Sequence, residues 1–309
     1  MYLFRYLDSF PVSLQGGVLT IGSFDGVHQG HQRVLKRVRS LADEYGVPAL
    51  VMSFEPTPKE FFMQAKAPAR IYTWRQRYLA LQEQTCDAVL QLKFDQAMAD
   101  YAAEAFIKDI LVDKLKIKHL VIGDDFHFGK NRTGNYALLL EAGQKFGFRV
   151  EDTQTLQLDS QRVSSTSIRA ALGNGNFDLV EELLGRKYVM SGKVIHGQKL
   201  GRTLGFPTLN IPVKRQVSPL HGIYAVKVHG LAEDALPAIA SIGTRPVVKG
   251  REWLLEVHLI DHQGDYYAQH AEVEFCCFLR SERNFPSLDA LQEQMALDLN
   301  EAREFFDLQ

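Results

Sequence analysis

The sequence predicts a two-part chain: an α/β domain with a parallel sheet, then a small antiparallel β-barrel. Three observations carry this. Apolar runs alternate with helix-periodic segments through the first half. From about residue 185 the pattern changes to short alternating strands separated by Gly, Pro and Asn. The length of 309 residues exceeds what one hydrophobic core usually serves.

Taken in order, residues 18–24 read as a strand and a helix follows over about 31–45. Residues 49–54 form the next strand, closed by the Pro-rich turn 55–58. A helix at 74–84 leads to the strand 88–92. Ala102, Phe106, Ile110 and the run Val112 to Leu115 make a helical stripe, and 119–123 is another buried strand. Residues 136–146 are helical, 148–158 extended, and a helix over 179–184 ends the first part. Such alternation implies a parallel, Rossmann-like sheet covered on both faces, with ligands at the carboxyl ends of its strands. The barrel strands fall at 190–196, 208–211, 223–229, 236–242, 253–261 and 271–280, six in all. Ser287 caps a terminal helix over 288–306. The expected domains are 1–184 and 185–309.

Composition excludes several function classes. A net charge of −2 gives no basis for general nucleic-acid binding. No apolar run approaches the roughly 18 residues of a membrane span. Arg5 and Asp8 interrupt the N-terminus where a signal peptide needs an apolar core. Cys86, Cys276 and Cys277 form an odd set without a CxxC spacing, which indicates neither a disulfide framework nor a zinc site. The expectation is a cytoplasmic protein with small-molecule partners, no nucleic acid and no membrane.

The most informative stretch is Gly22-Ser23-Phe24-Asp25-Gly26-Val27-His28-Gln29-Gly30-His31, which follows a strand and opens a helix. Two imidazoles three residues apart stand beside free backbone N–H groups and the positive end of the helix dipole. Gly26 and Gly30 let the backbone approach a ligand. Two more segments belong with it. One is the glycine-punctuated loop 123–134, carrying Asp125, Phe126 and Phe128; the other is Ser164-Ser165-Thr166-Ser167-Ile168-Arg169. Capping hydroxyls and an Arg in the first turn suit the terminal phosphates of a nucleotide. Each has a plainer reading: HxGH is a short match, a Ser/Thr cluster is usually an N-cap, and Asp125 could shape a turn. The strand–loop–helix setting, joined to the downstream Ser/Thr–Ile–Arg element, points to nucleotide binding.

In the barrel half, Gly201 and Gly205 permit close backbone approach. Thr208 and Asn210, two apart on a strand, offer oxygens on one face to a hard cation such as Mg²⁺, although Pro-Thr-Leu-Asn alone is equally an ordinary strand entry. Trp253, Leu255, Val257 and Leu259 make one apolar face, which leaves Glu256 on the other. A carboxylate there can act as general base; a solvated strand Glu is the plainer alternative.

These motifs resemble a known family. HxGH after the first α/β strand with a late SSTxIR looks like the nucleotidylyltransferase superfamily. The forms Gly22 to His31, Gly123-Asp124-Asp125-Phe126-His127-Phe128-Gly129 and Ser164 to Arg169 resemble the FMN adenylyltransferase module of bacterial bifunctional FAD synthetases. The stretches 201–210, 254–261 and 278–285 resemble the riboflavin kinase module of the same enzymes, in the same order. The resemblance implies phosphorylation of riboflavin by ATP to FMN in the C-terminal part. Adenylylation of FMN by ATP to FAD, with release of pyrophosphate, would follow in the N-terminal part. It assigns Gly22, Phe24, Asp25, His28, His31, Ser165, Thr166 and Arg169 to ATP in the N-terminal part, and Gly201 and Thr208 to ATP in the kinase. His28, His31, Arg169 and Glu256 become the residues of catalysis, with Glu256 accepting the riboflavin 5′-hydroxyl proton. Asp125, Phe126, Phe128 and Arg280 would face flavin. Thr208 and Asn210 would hold the Mg²⁺ that accompanies ATP, and apo-flavoproteins would accept the FAD.

The chain departs from the family pattern at Ser241, where Asn is usual, at Val247-Val248, where a Thr is common, and at Tyr266-Tyr267-Ala268, where Leu-Tyr-Gly is favoured. These positions are read as lying outside the Thr208/Asn210/Glu256 set. Three rival readings are a monofunctional adenylyltransferase with a flavin-binding or regulatory barrel, a non-enzymatic flavin sensor, and a different nucleotidyltransferase of the pantetheine-phosphate or glycerol-phosphate type, which leaves the barrel half unexplained. Intact Glu256 argues against the first, and HxGH kept together with PTLN argues against the second.

Overall fold

The computed structural model describes the chain except residues 124–125, 154–155, 159–160, 198–200, 202–203, 214, 216, 248–249 and 309, and only the backbone at 157, 158, 161, 245–247, 250 and 251. It divides into two compact units. The first is Met1–Pro68 with Trp74–Ser164; the second is Ala69–Thr73 with Ser165–Gln309.

The first unit is built on a parallel six-stranded sheet. Its strands are β1 (Tyr2–Phe4), β2 (Val18–Ile21), β3 (Ala49–Glu55), β4 (Ala88–Lys93), β5 (His119–Gly123) and β6 (Arg149–Thr153), in spatial order β1-β4-β3-β2-β5-β6. Helices α1 (Gln29–Tyr45), α2 (Pro58–Met63) and α3 (Trp74–Gln82) follow β2 and β3. Leu19, Leu50, Met52, Leu90 and Leu120 are fully buried in the core on one face. Val18, Ala49 and Val121 meet Val38 and Leu41 of α1 on the other. This is the two-sided burial that a parallel sheet requires.

Strand order reverses at β2, which pairs with β3 on one side and β5 on the other. The chain runs outward through β3 and β4, then returns to add β5 and β6. The crevice at such a reversal, outside the strands' carboxyl ends, is where open α/β sheets bind ligands. The loops after β2 and β5 flank it.

Some elements differ from expectation. Edge strand β1, three residues long, is too short to show periodicity. Helix α2 begins within the expected turn, because Thr57 and Glu60 form a reciprocal capping box with Pro58 in the first turn. The stripe 102–115 is α-helical only over Ala103–Ala105 and continues over Phe106–Lys114 as a π-helix. The extended segment 148–158 is two pieces, β6 and the short strand β7 (Gln157–Leu158), which pairs with β8 (Gln161–Arg162).

The second unit starts earlier than the expected boundary at 184/185. Helices Ser165–Gly173 and Phe177–Leu184 belong to it, because the Phe177 ring packs 5.9 Å from both Tyr224 and Phe275 of the barrel. Gly175 is equally bound to this packing: a Cβ there would lie 2.5 Å from Phe278 Cβ. Tyr188 Oη donates to the Ile71 carbonyl at 3.1 Å, tying segment Ala69–Thr73 to the same unit.

The antiparallel strands β9 (Val189–Lys193), β10 (Leu209–Pro212), β11 (Gly222–His229), β12 (Leu236–Val247), β13 (Gly250–Leu259) and β14 (His270–Arg280) run in the order β10-β13-β12-β11-β14-β9. The ends approach each other through Ile195 N–H, which donates to the Asn210 carbonyl at 2.8 Å, so the sheet is nearly a barrel. Tyr224, Phe275, Leu255 and Val257 fill its interior. The terminal helix Leu288–Phe305 is capped by Ser287 Oγ and held by a bidentate Arg280–Asp298 pair at 2.7 and 2.6 Å.

At position 268, where the family pattern favours Gly, Ala268 adopts φ 67°. A Cβ is disfavoured in that left-handed conformation. Ala268→Gly is expected to stabilise the second unit by roughly 0.5–1 kcal/mol, read as a raised urea midpoint at unchanged slope. An unchanged or lowered midpoint would contradict the strain argument.

Candidate active sites

The loop between β2 and α1 is shaped by three left-handed residues, Phe24 (φ 48°), Gly26 (φ 85°) and Val27 (φ 41°). Glycine takes this conformation freely, but Phe and β-branched Val do not, and each costs on the order of 1–3 kcal/mol. Phe24 and Val27 are held there because their side chains are buried. Local bonds complete the turn: Val27 N–H donates to the Phe24 carbonyl at 3.1 Å, and Gln32 Nε2 to the Val27 carbonyl at 2.9 Å.

His28 is not within the helix but caps it. Its Nδ1 accepts from the His31 N–H at 3.3 Å, and the two rings stack with centroids 3.6 Å apart. Gly30 makes room for this, since a Cβ there would come within 3.2 Å of the His28 ring. Phe24 packs 5.1 Å from His31 on its other side. His31 Nδ1 is sealed from solvent with no partner among the described residues. Burial first, then His28 and Arg77, hold the His31 pKa well below the ordinary imidazole value. Asp25 is buried within the same loop.

Sequence reasoning missed two features at the carboxyl ends of β3 and β4. Arg77 of α3 is buried and donates to the Ser23 carbonyl at 2.8 Å and to Glu55 at 3.1 Å. Phe54, Phe61, Phe62 and Phe94 form an edge-to-face cluster with centroids 5.2–5.8 Å apart, and Phe62 is 66 % exposed. The adjacent Phe61-Phe62 pair was a visible signal; an Arg inside a helix carries none.

After β5, Asp125 lies outside the described residues. Phe126 stacks on Phe128 at 5.6 Å, and Phe128 is in turn buried against Phe106 in the core. Phe128 thus has a packing role, with Phe126 more open. Ser165, Thr166 and Arg169 sit on the first helix of the second unit. The Arg169 guanidinium is fixed there by the Ala69 carbonyl at 2.5 Å and the Ser165 carbonyl at 3.1 Å.

In the barrel, register decides what the sequence could not. Asn210 on β10 lies directly opposite Glu256 on β13, and Glu256 directly opposite Ser241 on β12. Directly paired residues share a face, so the three form one row, with Asn210 buried and Glu256 exposed. Ser241 therefore neighbours Glu256, which corrects its reading as a position outside the set. Asn210 Nδ2 donates to the Thr208 carbonyl at 3.3 Å. Gly197 leaves the amide its space, since a Cβ would fall 2.4 Å from Nδ2. Gly201 accepts from Phe206 and Leu204 N–H, closing the turn that leads into Thr208. The exposed rings of His196 and Tyr267 lie 3.7 Å apart, tilted by 35°, next to Gly197 in the chain. Arg280 is committed to Asp298, with its guanidinium carbon 5.7 Å from the Phe285 ring.

No group of three or more His, Cys, Asp or Glu able to hold a metal occurs among the described residues. The Thr208/Asn210 pair offers neutral oxygens only. That donor set fits a cation arriving on phosphate better than one bound by protein alone.

Comparison with known proteins agrees with this two-part arrangement. The family model described as FAD synthetase matches residues 11–167, and the one described as Riboflavin kinase matches 184–306. The second match starts close to the expected boundary. The bifunctional riboflavin kinase/FMN adenylyltransferase of Haemophilus influenzae is 48% identical over 307 residues, covering 99% of this chain and 100% of that protein. Its counterpart from Escherichia coli K12 is 48% identical over 309 residues, covering 100% and 99%. A crystallised Streptococcus pneumoniae protein named as a macrolide-efflux protein superposes with a TM-score of 0.81 at 26% identity, covering 97% of this chain and 98% of its own. Among the described residues no helix is long and apolar enough to cross a membrane. With both modules matched in order and near-half identity over the full length, the chain belongs to the family of bifunctional riboflavin kinase/FMN adenylyltransferases.

Proposed function

We propose that the chain makes FMN from riboflavin in its C-terminal module and FAD from FMN in its N-terminal module, using ATP at two separate sites. The observation that carries the residue assignment is the pairing of two differently equipped sites. One has two stacked imidazoles at a helix entrance, and the other a carboxylate in register with the neutral amide of Asn210.

In adenylyl transfer, an FMN phosphate oxygen attacks the α-phosphorus of ATP, the new P–O bond forms, and pyrophosphate leaves. The phosphate is already ionised, so positioning and charge stabilisation suffice. His28, His31 and the first N–H groups of α1 receive the ATP phosphates, with Gly22, Phe24 and Asp25 shaping the loop. The same reading assigns Ser165, Thr166 and Arg169 to ATP, and Asp125 and Phe126 to flavin. The exposed Phe62 cluster is a further surface on which a flavin ring could stack.

In the kinase reaction the nucleophile is a neutral hydroxyl. Glu256 takes its proton as the oxygen attacks the γ-phosphorus and ADP leaves. Thr208 and Asn210 would hold Mg²⁺, which when bound neutralises charge on the phosphates. Gly201 approaches the same nucleotide. Arg280 acts through Asp298, fixing the terminal helix beside the flavin side. Ser241, as the cross-strand neighbour of Glu256, shapes the base's surroundings. A cytoplasmic setting and delivery of FAD to apo-flavoproteins complete the reading.

Supplying riboflavin, ATP and Mg²⁺ and resolving the products by chromatography separates the two sites. His31→Ala is expected to slow FAD formation by roughly 10²-fold while FMN accumulates. Glu256→Ala is expected to cut FMN formation by roughly 10²–10⁴-fold yet convert supplied FMN normally. Loss of both activities in both variants would overturn the two-site assignment.

The pH dependence has a definite sign. His31 resists protonation in the folded chain, whereas the unfolded imidazole titrates at its ordinary 6.5. Below that value the unfolded state binds the extra proton, so stability falls as pH drops. His119, also lowered by burial, acts in the same direction. Urea unfolding of the nucleotide-free protein should show the first unit weakening below pH 6.5, less steeply in His31→Gln; equal slopes would refute the role of His31.

A further inference from the structure

Arg77 is 2 % exposed, although it carries a guanidinium that water would solvate well. Its Nη1 donates to the Ser23 carbonyl at 2.8 Å, and Nη2 donates to Glu55 Oε2 at 3.1 Å. Gln91 Nε2 reaches the same Glu55 oxygen at 3.2 Å, and the Trp74 ring lies 5.0 Å from the guanidinium carbon. A buried ion pair is weak evidence of stabilisation, since apolar groups of similar volume often do as well. Stability alone therefore does not account for an Arg here.

What Arg77 holds is informative. Ser23 immediately precedes Phe24, the first of the left-handed residues, at φ 48°. A turn in that conformation needs fixing from outside, and a two-pronged guanidinium clamps a carbonyl more rigidly than an ammonium. The anchor is itself anchored, because Glu55 ends β3 and Gln91 lies within β4.

We propose that Arg77 is a positioning residue for adenylyl transfer: by clamping the Ser23 carbonyl it sets the turn that presents His28 and His31 to the ATP phosphates. The proposal rests on reading that loop as the ATP site. A second observation agrees with it. The Arg77 charge, after burial and His28, helps to keep His31 deprotonated. His28 and Arg77 both oppose a charge on His31, with Asp25 buried in the same loop and Glu55 behind Arg77 as its counter-ion.

The test uses the full chain, with riboflavin phosphorylation as an internal control in the same preparation. Arg77→Met is expected to lower kcat for FAD formation by roughly 10²-fold, the scale of an ångström-sized misplacement, and to leave FMN formation unchanged. Arg77→Lys should recover part of the loss. In Arg77→Met the acid limb of kcat/KM for ATP should move to higher pH, because His31 loses a repelling charge; a purely structural role would not move it. Glu55→Gln keeps the Ser23 clamp and removes the counter-ion. It should hold kcat within a few-fold and move the acid limb to lower pH, which keeps the test decisive if Arg77→Met fails to fold. Wild-type kcat in Arg77→Met, or an acid limb that stays fixed in Arg77→Met or Glu55→Gln, would overturn the proposal. His31→Ala separates the two levels: if it leaves FAD formation intact, the ATP reading of the loop fails. If it abolishes FAD formation while Arg77→Met behaves as wild type, only the role of Arg77 fails.

Discussion

A turn with Phe and Val in left-handed backbone conformations persists only where packing over-determines it, and the first unit is organised around that constraint. The turn leaves β2 at the point where strand order reverses, and its Phe24 and Val27 side chains are buried there. Its strain is confined to the residues that bring His28 and His31 face to face at the entrance of α1. A relaxed turn would point the imidazoles elsewhere and leave the helix N–H groups without a shaped approach.

In the proposed assignment the two modules meet different chemical demands with different means. A phosphate nucleophile needs no base, and the loop after β2 offers imidazoles, backbone donors and a nearby guanidinium. A hydroxyl nucleophile needs one, and in the proposed assignment Glu256 on β13 supplies it. Sheet register, not sequence distance, brings Asn210 and Ser241 alongside that carboxylate. The barrel's near closure through Ile195 and Asn210 also explains why Gly197 is bare: the amide of Asn210 occupies the space a side chain would take.

Much was legible locally. The alternation of apolar runs with helical segments revealed the parallel sheet, since its strands are buried on both faces. The glycine-rich strand–loop–helix stretch marked the turn that enters α1, and Ser287 marked the terminal helix, because capping is read within four residues. Edge strand β1 and helix α2 were missed for opposite reasons. One is too short to have a period, and the other lay behind a Pro-rich stretch whose capping box outweighs its turn signals. That the helix Phe177–Leu184 packs with the barrel was not legible, because Phe177 looks like any apolar helix residue until Tyr224 and Phe275 are seen beside it.

The sequence by itself determined the two-part architecture, the order of the modules and the residue types each chemistry requires, because these depend on composition and short spacings. Tertiary structure decided which residues share a face and which side chains are already committed. It placed Ser241 beside Glu256, tied Arg280 to Asp298, buried Phe128 in the core and set Arg77 under Ser23. Each of these joins residues far apart in the chain, where only folding supplies the distance and the low-dielectric surroundings that give a contact its energy.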